Sequence, residues 1–253
     1  MKVVQFFSAW GGVGQTTLVA HLSAALVTAG HKVLAIDLSC GNALASYLSG
    51  QTTRIKGWSE DVLTGHWWAA SAQQNSEGVQ FLPFGEAEPD TEFRLMQLIS
   101  QNPGWLKLAL GQIDLPPDAI VMLDCPQWPN LLTKQAMDVA DIQLMCTPLG
   151  APLFHKTGLY EELTQHCDKN KLHALLMRVN PGRPSHAESL DFLRELPDWS
   201  VLEQTLHEDD GVGLAQLHAV GVMAAFPHSQ YVQDIRNLSD WLIKSLATGR
   251  EKS

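Results

Sequence analysis

Apolar and polar positions along this chain fall into blocks that repeat one order: a short apolar run, a turn, and a longer segment with helical spacing. Residues 3–7 are an apolar run followed by a glycine cluster, which predicts a buried strand rather than a fragment of buried helix. From Thr16 the apolar positions Leu18, Leu22, Ala25, Leu26 and Ala29 recur at helical spacing, and Gly30 supplies a left-handed stop. A second strand is predicted over 33–36, ending at Asp37, and further apolar runs at 79–84, 119–123, 142–147 and 174–179 are separated by enough chain for crossover helices. This alternation predicts an α/β fold, a mostly parallel sheet with helices on both faces. Two later helices are marked, one by a capping box at Ser185 and Glu188 and one by the apolar stripe Val232, Ile235, Leu238, Leu242 and Leu246. No repeat, low-complexity tract or long linker divides the chain, so 1–253 reads as a single domain. Within it, 57–78 is a polar excursion of short helix and loop carrying Trp58, Trp67 and Trp68, and 247–253 is a flexible tail.

Composition narrows the class. With 253 residues, 45% of them hydrophobic, the chain can bury a full core without staples, which excludes disordered and fibrous classes. Lys and Arg total 17 against 27 Asp and Glu, a formal net charge of -10, so no global basic field exists to hold nucleic acid or anionic lipid. Cys40, Cys125, Cys146 and Cys167 are widely spaced and form neither a CxxC nor a Cys/His zinc pattern; they read as buried thiols of a reducing compartment. The apolar start is too short for a signal segment and no later run reaches the roughly 18 residues of a membrane span, so the expected location is cytoplasmic. The unusual feature is eight tryptophans beside three tyrosines.

The chemistry is expected where the first strand meets the first helix. Residues 9–17, Ala-Trp-Gly-Gly-Val-Gly-Gln-Thr-Thr, have the strand-to-helix context that a phosphate-binding loop requires. Its glycines let the backbone approach phosphates, successive N–H groups from Gly11, Gly12, Val13, Gly14, Gln15, Thr16 and Thr17 can point at them, and the helix N-terminus adds partial positive charge. Asp37 and Asp124 both end strands at the carboxyl edge, where open α/β sheets bind ligands. Thr16 would then coordinate Mg²⁺ directly while Asp37 and Asp124 hold its waters. A tight turn with two aspartates capping strand ends would explain each feature separately; their arrival at one sheet edge argues for a nucleotide.

These residues resemble the deviant Walker A ATPases of the ParA/MinD family, whose loop runs lysine, two glycines, a hydrophobic residue, glycine, lysine and two hydroxyl residues. The resemblance extends almost end to end: 37–42 is similar to the family's switch I, Leu123-Asp124-Cys125-Pro126 to its Walker B and switch II, and 175–183 to its adenine-side strand and loop. Within that family Gly57-Trp58, Leu63, Gly65, Trp68, Phe81-Leu82-Pro83-Phe84-Gly85 and His207-Glu208-Asp209 resemble the BcsQ/YhjQ-type accessory ATPases of bacterial cellulose-synthesis operons. What this implies is a SIMIBI-type P-loop NTPase fold, ATP and Mg²⁺ as cofactors, and a nucleotide-sandwich homodimer. It also implies adenine-side roles for Arg178, Asn180, Pro181, Glu208 and Asp209.

Three departures alter that picture. The signature lysine that reaches the partner's nucleotide in the family is Trp10, which becomes an expected dimer-face residue; the loop lysine that bridges the β- and γ-phosphates is Gln15; and the second switch I aspartate is Ser39, with Asn42 or a water as partial substitute. Charge-assisted hydrogen bonds are about twice as strong as neutral ones, and losing one preorganised donor costs about 10²- to 10³-fold in rate, so hydrolysis should suffer more than binding. The expected function is an ATP-held regulatory dimer of cellulose or exopolysaccharide synthesis and secretion with weak or absent hydrolysis. The alternatives are a cycling ParA/MinD-type ATPase for localisation or partition and a nucleotide-free scaffold. Expected partners are a small companion subunit and cytoplasmic parts of the cellulose synthase complex, with no direct nucleic acid contact and recruitment to the inner-membrane face only through protein. None of the ten histidines, including His21 in the first helix and His207 in an expected loop, has a nucleophile pattern beside it.

Overall fold

The structure is a computed structural model that describes residues 1–50, 55–86, 89–155, 158–196, 200–218 and 220–248. In chain order its elements are β1 (Lys2–Phe7), α1 (Gln15–Thr28), β2 (Val33–Asp37), α2 (Ala43–Ser49), α3 (Trp58–Leu63), β3 (Gln73–Gln74), β4 (Gln80–Leu82), α4 (Pro89–Ser100), α5 (Trp105–Gly111) and β5 (Ile120–Asp124). They continue as α6 (Leu131–Val139), β6 (Ile142–Pro148), α7 (Ala151–Phe154), α8 (Gly158–His166), β7 (Leu172–Val179), α9 (Pro184–Glu195), β8 (Val201–His207), α10 (Asp210–Leu217), α11 (Val222–Ala225) and α12 (Gln230–Thr248).

The eight strands form one sheet in the order β3-β4-β2-β5-β1-β6-β7-β8, parallel throughout except for β3 against β4. Helices cover both faces, so β2 and β5 are buried at every position and read as continuous apolar runs. β1 sends Val4 and Phe6 to a core shared with α1 and α12, where Leu18, Leu22, Val232, Ile235, Leu238, Leu242 and Leu246 meet. Val3 and Phe7 enter the opposite core with Leu95 of α4, Leu106 of α5, Leu132 of α6 and Leu163 of α8. The stop at Gly30 forms as expected: with φ at 91°, its N–H bonds to Val27 and that of His31 to Leu26, the two bonds of a Schellman cap.

Several expectations are corrected. α9 begins at Pro184 with Arg183 as N-cap and no side-chain cap, so Ser185 and Glu188 form no capping box; the proline, with φ already set for a helix, takes the first helical position. The run at 79–84 keeps only three strand residues, followed by Pro83, which has no N–H to give a ladder. His207 is not in a loop but closes β8, an edge strand whose polar centre, Glu203-Gln204-Thr205, conceals it in the sequence. Cys125 and Cys146 are buried, but Cys40 is exposed. In the polar excursion Trp58 and Trp68 are buried and pack edge-on to each other beside Trp105, while Trp67 is half exposed. Of the expected tail, 247–248 belong to α12 and the remainder lies outside the described residues.

Candidate functional site

The loop between β1 and α1 is anchored at its start by Ser8, whose hydroxyl donates to the Cys146 carbonyl at 2.7 Å and accepts from the Trp10 N–H at 3.1 Å. Gly12 and Gly14 then take φ of 71° and 92°, conformations that side chains resist. Gly14 is the N-cap of α1 and gives it no side-chain cap, so the first-turn amides of that helix face the loop without a side-chain acceptor.

Gln15 does not project into the loop. Its Nε2 donates to Asp124 Oδ1 at 2.6 Å and to the Cys125 carbonyl at 2.7 Å. The Thr16 hydroxyl bonds to the same aspartate. Asp37 and Asp124 are register partners on adjacent strands β2 and β5, both nearly devoid of solvent exposure. Burial is the main force that raises the Asp124 carboxyl from 3.8 to about 6, opposed by the bonds from Gln15 and Thr16. Burial, and after it the Asp124 charge, raises Asp37 as well. Asp37 is tied down by the Ser39 N–H at 2.9 Å and the Leu44 N–H at 3.0 Å, while Asp124 Oδ2 is buried with no hydrogen-bond partner. An orphaned carboxylate oxygen beside a second carboxylate and a hydroxyl is a hard, all-oxygen donor set, which fits Mg²⁺. Among the described residues no group of three or more His, Cys, Asp or Glu could hold an ion by itself.

Two cavities flank the loop. One of about 370 Å³ is lined by 12–17 together with Trp10, Ser39, Tyr47 and Gln127. The other, about 580 Å³, runs from Gly12–Gly14 and Thr17 to Met177, Arg178, Glu208 and the α10 residues Val212 and Gly213. Arg178, Glu208 and Asp209 thus stand in its wall; Asn180 and Pro181 do not, and Pro181 is exposed. Asn180 instead donates to Glu208, and Asp209 caps α10 by accepting from Gly211 N–H at 2.8 Å. Together with Arg178 and Arg183, the Asn180 amide, the largest influence, holds the Glu208 carboxyl below its usual range.

The remaining positions are engaged within the chain. Half-buried Trp10 turns back on its own chain, its indole donating to the Pro152 carbonyl of α7 at 2.8 Å. Asn42 Oδ1 accepts from Gly85 N–H at 3.2 Å, which ties the side chain to the turn after β4. A relay absent from the sequence reading joins three helices: Thr17 donates to the Tyr47 hydroxyl at 2.8 Å, and Tyr47 to Gln216 Oε1 at 3.1 Å. Nothing in the local sequence marks it, because the partners lie 30 and 169 residues apart.

Known proteins resemble this chain in sequence and in fold. A family model described as cellulose biosynthesis protein BcsQ matches residues 1–243. The chain is 30% identical over 152 residues to the cellulose biosynthesis protein BcsQ of Salmonella typhi, covering 56% of each chain. It is 32% identical over 163 residues to the chromosome partitioning protein ParA of Caulobacter vibrioides, covering 63% of this chain and 60% of that one. The matched region therefore spans little more than half the length of these relatives. Among solved structures, cobyrinic acid a,c-diamide synthase from Mycobacterium smegmatis with bound ADP and magnesium superposes with a TM-score of 0.78 at 20% identity, over 98% of this chain and 96% of that chain. The septum site-determining protein MinD complexed with Mg-ADP from Pyrococcus horikoshii OT3 gives 0.70 at 21% identity, over 95% of each chain. At these identities the likeness is one of fold, the ParA/MinD P-loop ATPase fold.

Proposed function

Because the chain belongs to the BcsQ family of cellulose biosynthesis proteins, we propose that it is an ATP- and Mg²⁺-binding regulatory subunit of bacterial cellulose synthesis, a nucleotide-held homodimer that hydrolyses slowly or not at all. The observation that carries this reading is Gln15. It occupies the position of the loop lysine, carries no charge, and gives its amide to Asp124 and Cys125. The loop amides, the uncapped start of α1 and the two adjoining cavities favour a bound triphosphate. Thr16 would hold Mg²⁺ directly, with Asp37 and Asp124 acting through its water shell, and the ion would neutralise charge on the terminal phosphates. Solved relatives of the same fold that carry ADP and magnesium support the choice of ligand.

Ground-state binding needs donors; transfer needs charge that grows with the reaction. Without a lysine the developing charge meets only neutral dipoles from this loop, and the loss is worth about 10²- to 10³-fold in rate. Ser39, whose own N–H is spent on Asp37, adds no carboxylate to orient water. The dimer rests on the family resemblance, with Trp10 adding apolar surface where the family has a cation. Partners are a small companion subunit and the cytoplasmic parts of the synthase, which would recruit the protein to the inner-membrane face. Among the described residues no helix is long and apolar enough to cross a membrane.

The test is the nucleotide carried by freshly purified protein, followed over hours with Mg²⁺. Intact ATP is the expected result; rapid conversion to ADP would make the protein a cycling ATPase, and no nucleotide a scaffold. Thr16→Ala is expected to abolish Mg²⁺-dependent retention, and Gln15→Lys to raise turnover if the missing charge is what limits it.

A further inference from the structure

Arg178 is a side-chain-bearing residue at φ 53°, in the left-handed region that favours glycine. It lies next to the end of β7, where the register with β8 breaks between Leu176 and Val179. Backbone strain of this kind persists where the surroundings over-determine it, and such sites gather at ligand clamps. Here the flanking Met177 and Val179 are buried and Arg178 is exposed. Its side chain reaches the wall of the 580 Å³ cavity and of a neighbouring one of about 420 Å³, and both include Gly12 and Val13 of the phosphate loop. Met177 approaches the loop too, with Cε 3.8 Å from where a Cβ on Gly14 would lie.

The guanidinium is aligned rather than loose. Arg178 Nη2 donates to Glu208 Oε1 at 3.1 Å, while Arg183 Nη2 and Asn180 Nδ2 donate to Oε2 at 2.7 and 3.0 Å. Two guanidinium groups share one carboxylate, so Arg178, Arg183 and Glu208 together sum to one positive charge, with Asp209 and Asp210 the other charged side chains in the wall of the 580 Å³ cavity. Among the described residues, Arg178 and Arg183 are the lysine or arginine side chains in the walls of the three cavities around the loop, and only Arg178 lines the one that runs from the loop glycines to α10.

We infer that Arg178 is the phosphate-side cation of the nucleotide site, supplied from the end of β7 in place of the lysine missing at Gln15, with Glu208 as the positioning residue that orients it. This assignment rests on the nucleotide reading above and moves Arg178 from the base to the phosphates. It makes the site one that can hold a triphosphate firmly while the loop itself stays neutral.

The experiment is equilibrium binding of ATP and of adenosine, with Mg²⁺, to the full chain and its Arg178→Gly, Arg178→Gln and Arg178→Lys variants. Glycine suits a φ of 53°, so Arg178→Gly should keep or raise the melting temperature, which separates a binding defect from a folding one. A lost charge-assisted bond is worth about 10- to 100-fold, so ATP affinity should fall by that factor in the glycine and glutamine variants, with adenosine affinity unchanged and partial recovery in the lysine variant. Equal losses for ATP and adenosine would return Arg178 to the base or ribose, and unchanged ATP affinity would also overturn the assignment. If the wild-type protein bound neither ligand, the nucleotide reading itself would fall, and this assignment with it.

Discussion

At the residue scale, His21 shows how burial fixes a charge state away from the phosphates. Its ring lies edge-on to Tyr231 at 5.6 Å and Tyr47 at 6.4 Å, with Nδ1 3.0 Å from the Tyr231 hydroxyl. Burial lowers it from 6.5 to about 4. Between those values the unfolded chain holds a proton that the folded chain excludes, so this contribution to stability is complete above pH 6.5 and is lost as pH falls towards 4. The difference converts to about 3 kcal/mol. Urea unfolding of wild type and His21→Gln at pH 7 and pH 4.5 should therefore show the wild-type advantage shrinking in acid; a constant difference would remove His21 from the account. The site was legible at this scale where a residue's role follows from its place on a strand. Asp37 and Asp124 were found because they end apolar runs. The direction of Gln15 was not, because it is set by Asp124, a neighbour 109 positions away.

At the element scale, α3 is fitted to the sheet through glycine. A Cβ on Gly57 would collide with the backbone of Phe84 and Gly85, a contact that no side-chain rotation relieves. That approach lets Trp58 and Ser59 donate their N–H groups to Pro83 and Phe84, and lets the Trp58 indole reach the Asp37 carbonyl at 2.7 Å. Gly57→Ala should cost about 1–3 kcal/mol, the usual range for overpacking, and alter Trp58 emission because the ring leaves its buried cage. A wild-type melting curve and spectrum would count against this close packing. Sequence reading identified the helices with wide apolar faces, α1 and α12, and the strands buried on both sides. It missed β8 because an edge strand needs apolar residues on fewer sides, and β3 because two residues carry no period. The capping box failed for a different reason: the local signal at Ser185 was overridden by Pro184, which fixes the helix start two positions earlier.

At the scale of the whole molecule, the two buried carboxylates are a built-in deficit that a cation relieves. A carboxyl raised from 3.8 to about 6 is penalised in its ionised form, so stability falls as pH rises through that window and the full cost, at most about 3 kcal/mol, is present at pH 7. Asp124→Asn keeps the shape, still offers an oxygen to Gln15, and gives Asp37 a donor in place of a charge. In a chelator-containing buffer at pH 7 it should melt above the wild type, while losing the rise in melting temperature that Mg²⁺ with ATP gives the wild type. A lower melting temperature for the variant without metal would mean that the pair is not strained.

The place of β1 in the sheet has a consequence for how the chain is made. This first strand pairs with Ile120–Asp124 on one side and Ile142–Met145 on the other, so both of its neighbours are more than a hundred residues later in the chain. At about 5–20 residues per second, synthesis of the stretch from the end of β1 to the end of β6 takes roughly 7–28 seconds. Until β5 is made Val3, Val4, Phe6 and Phe7 have no partner strand on either side, until β6 follows they have only one, and long-range parallel pairings of this kind are intrinsically slow to close. The strand that leads into the phosphate loop thus precedes both of its neighbours by more than a hundred residues and is enclosed only after they are made, so its buried apolar residues are exposed to aggregation in the nascent chain.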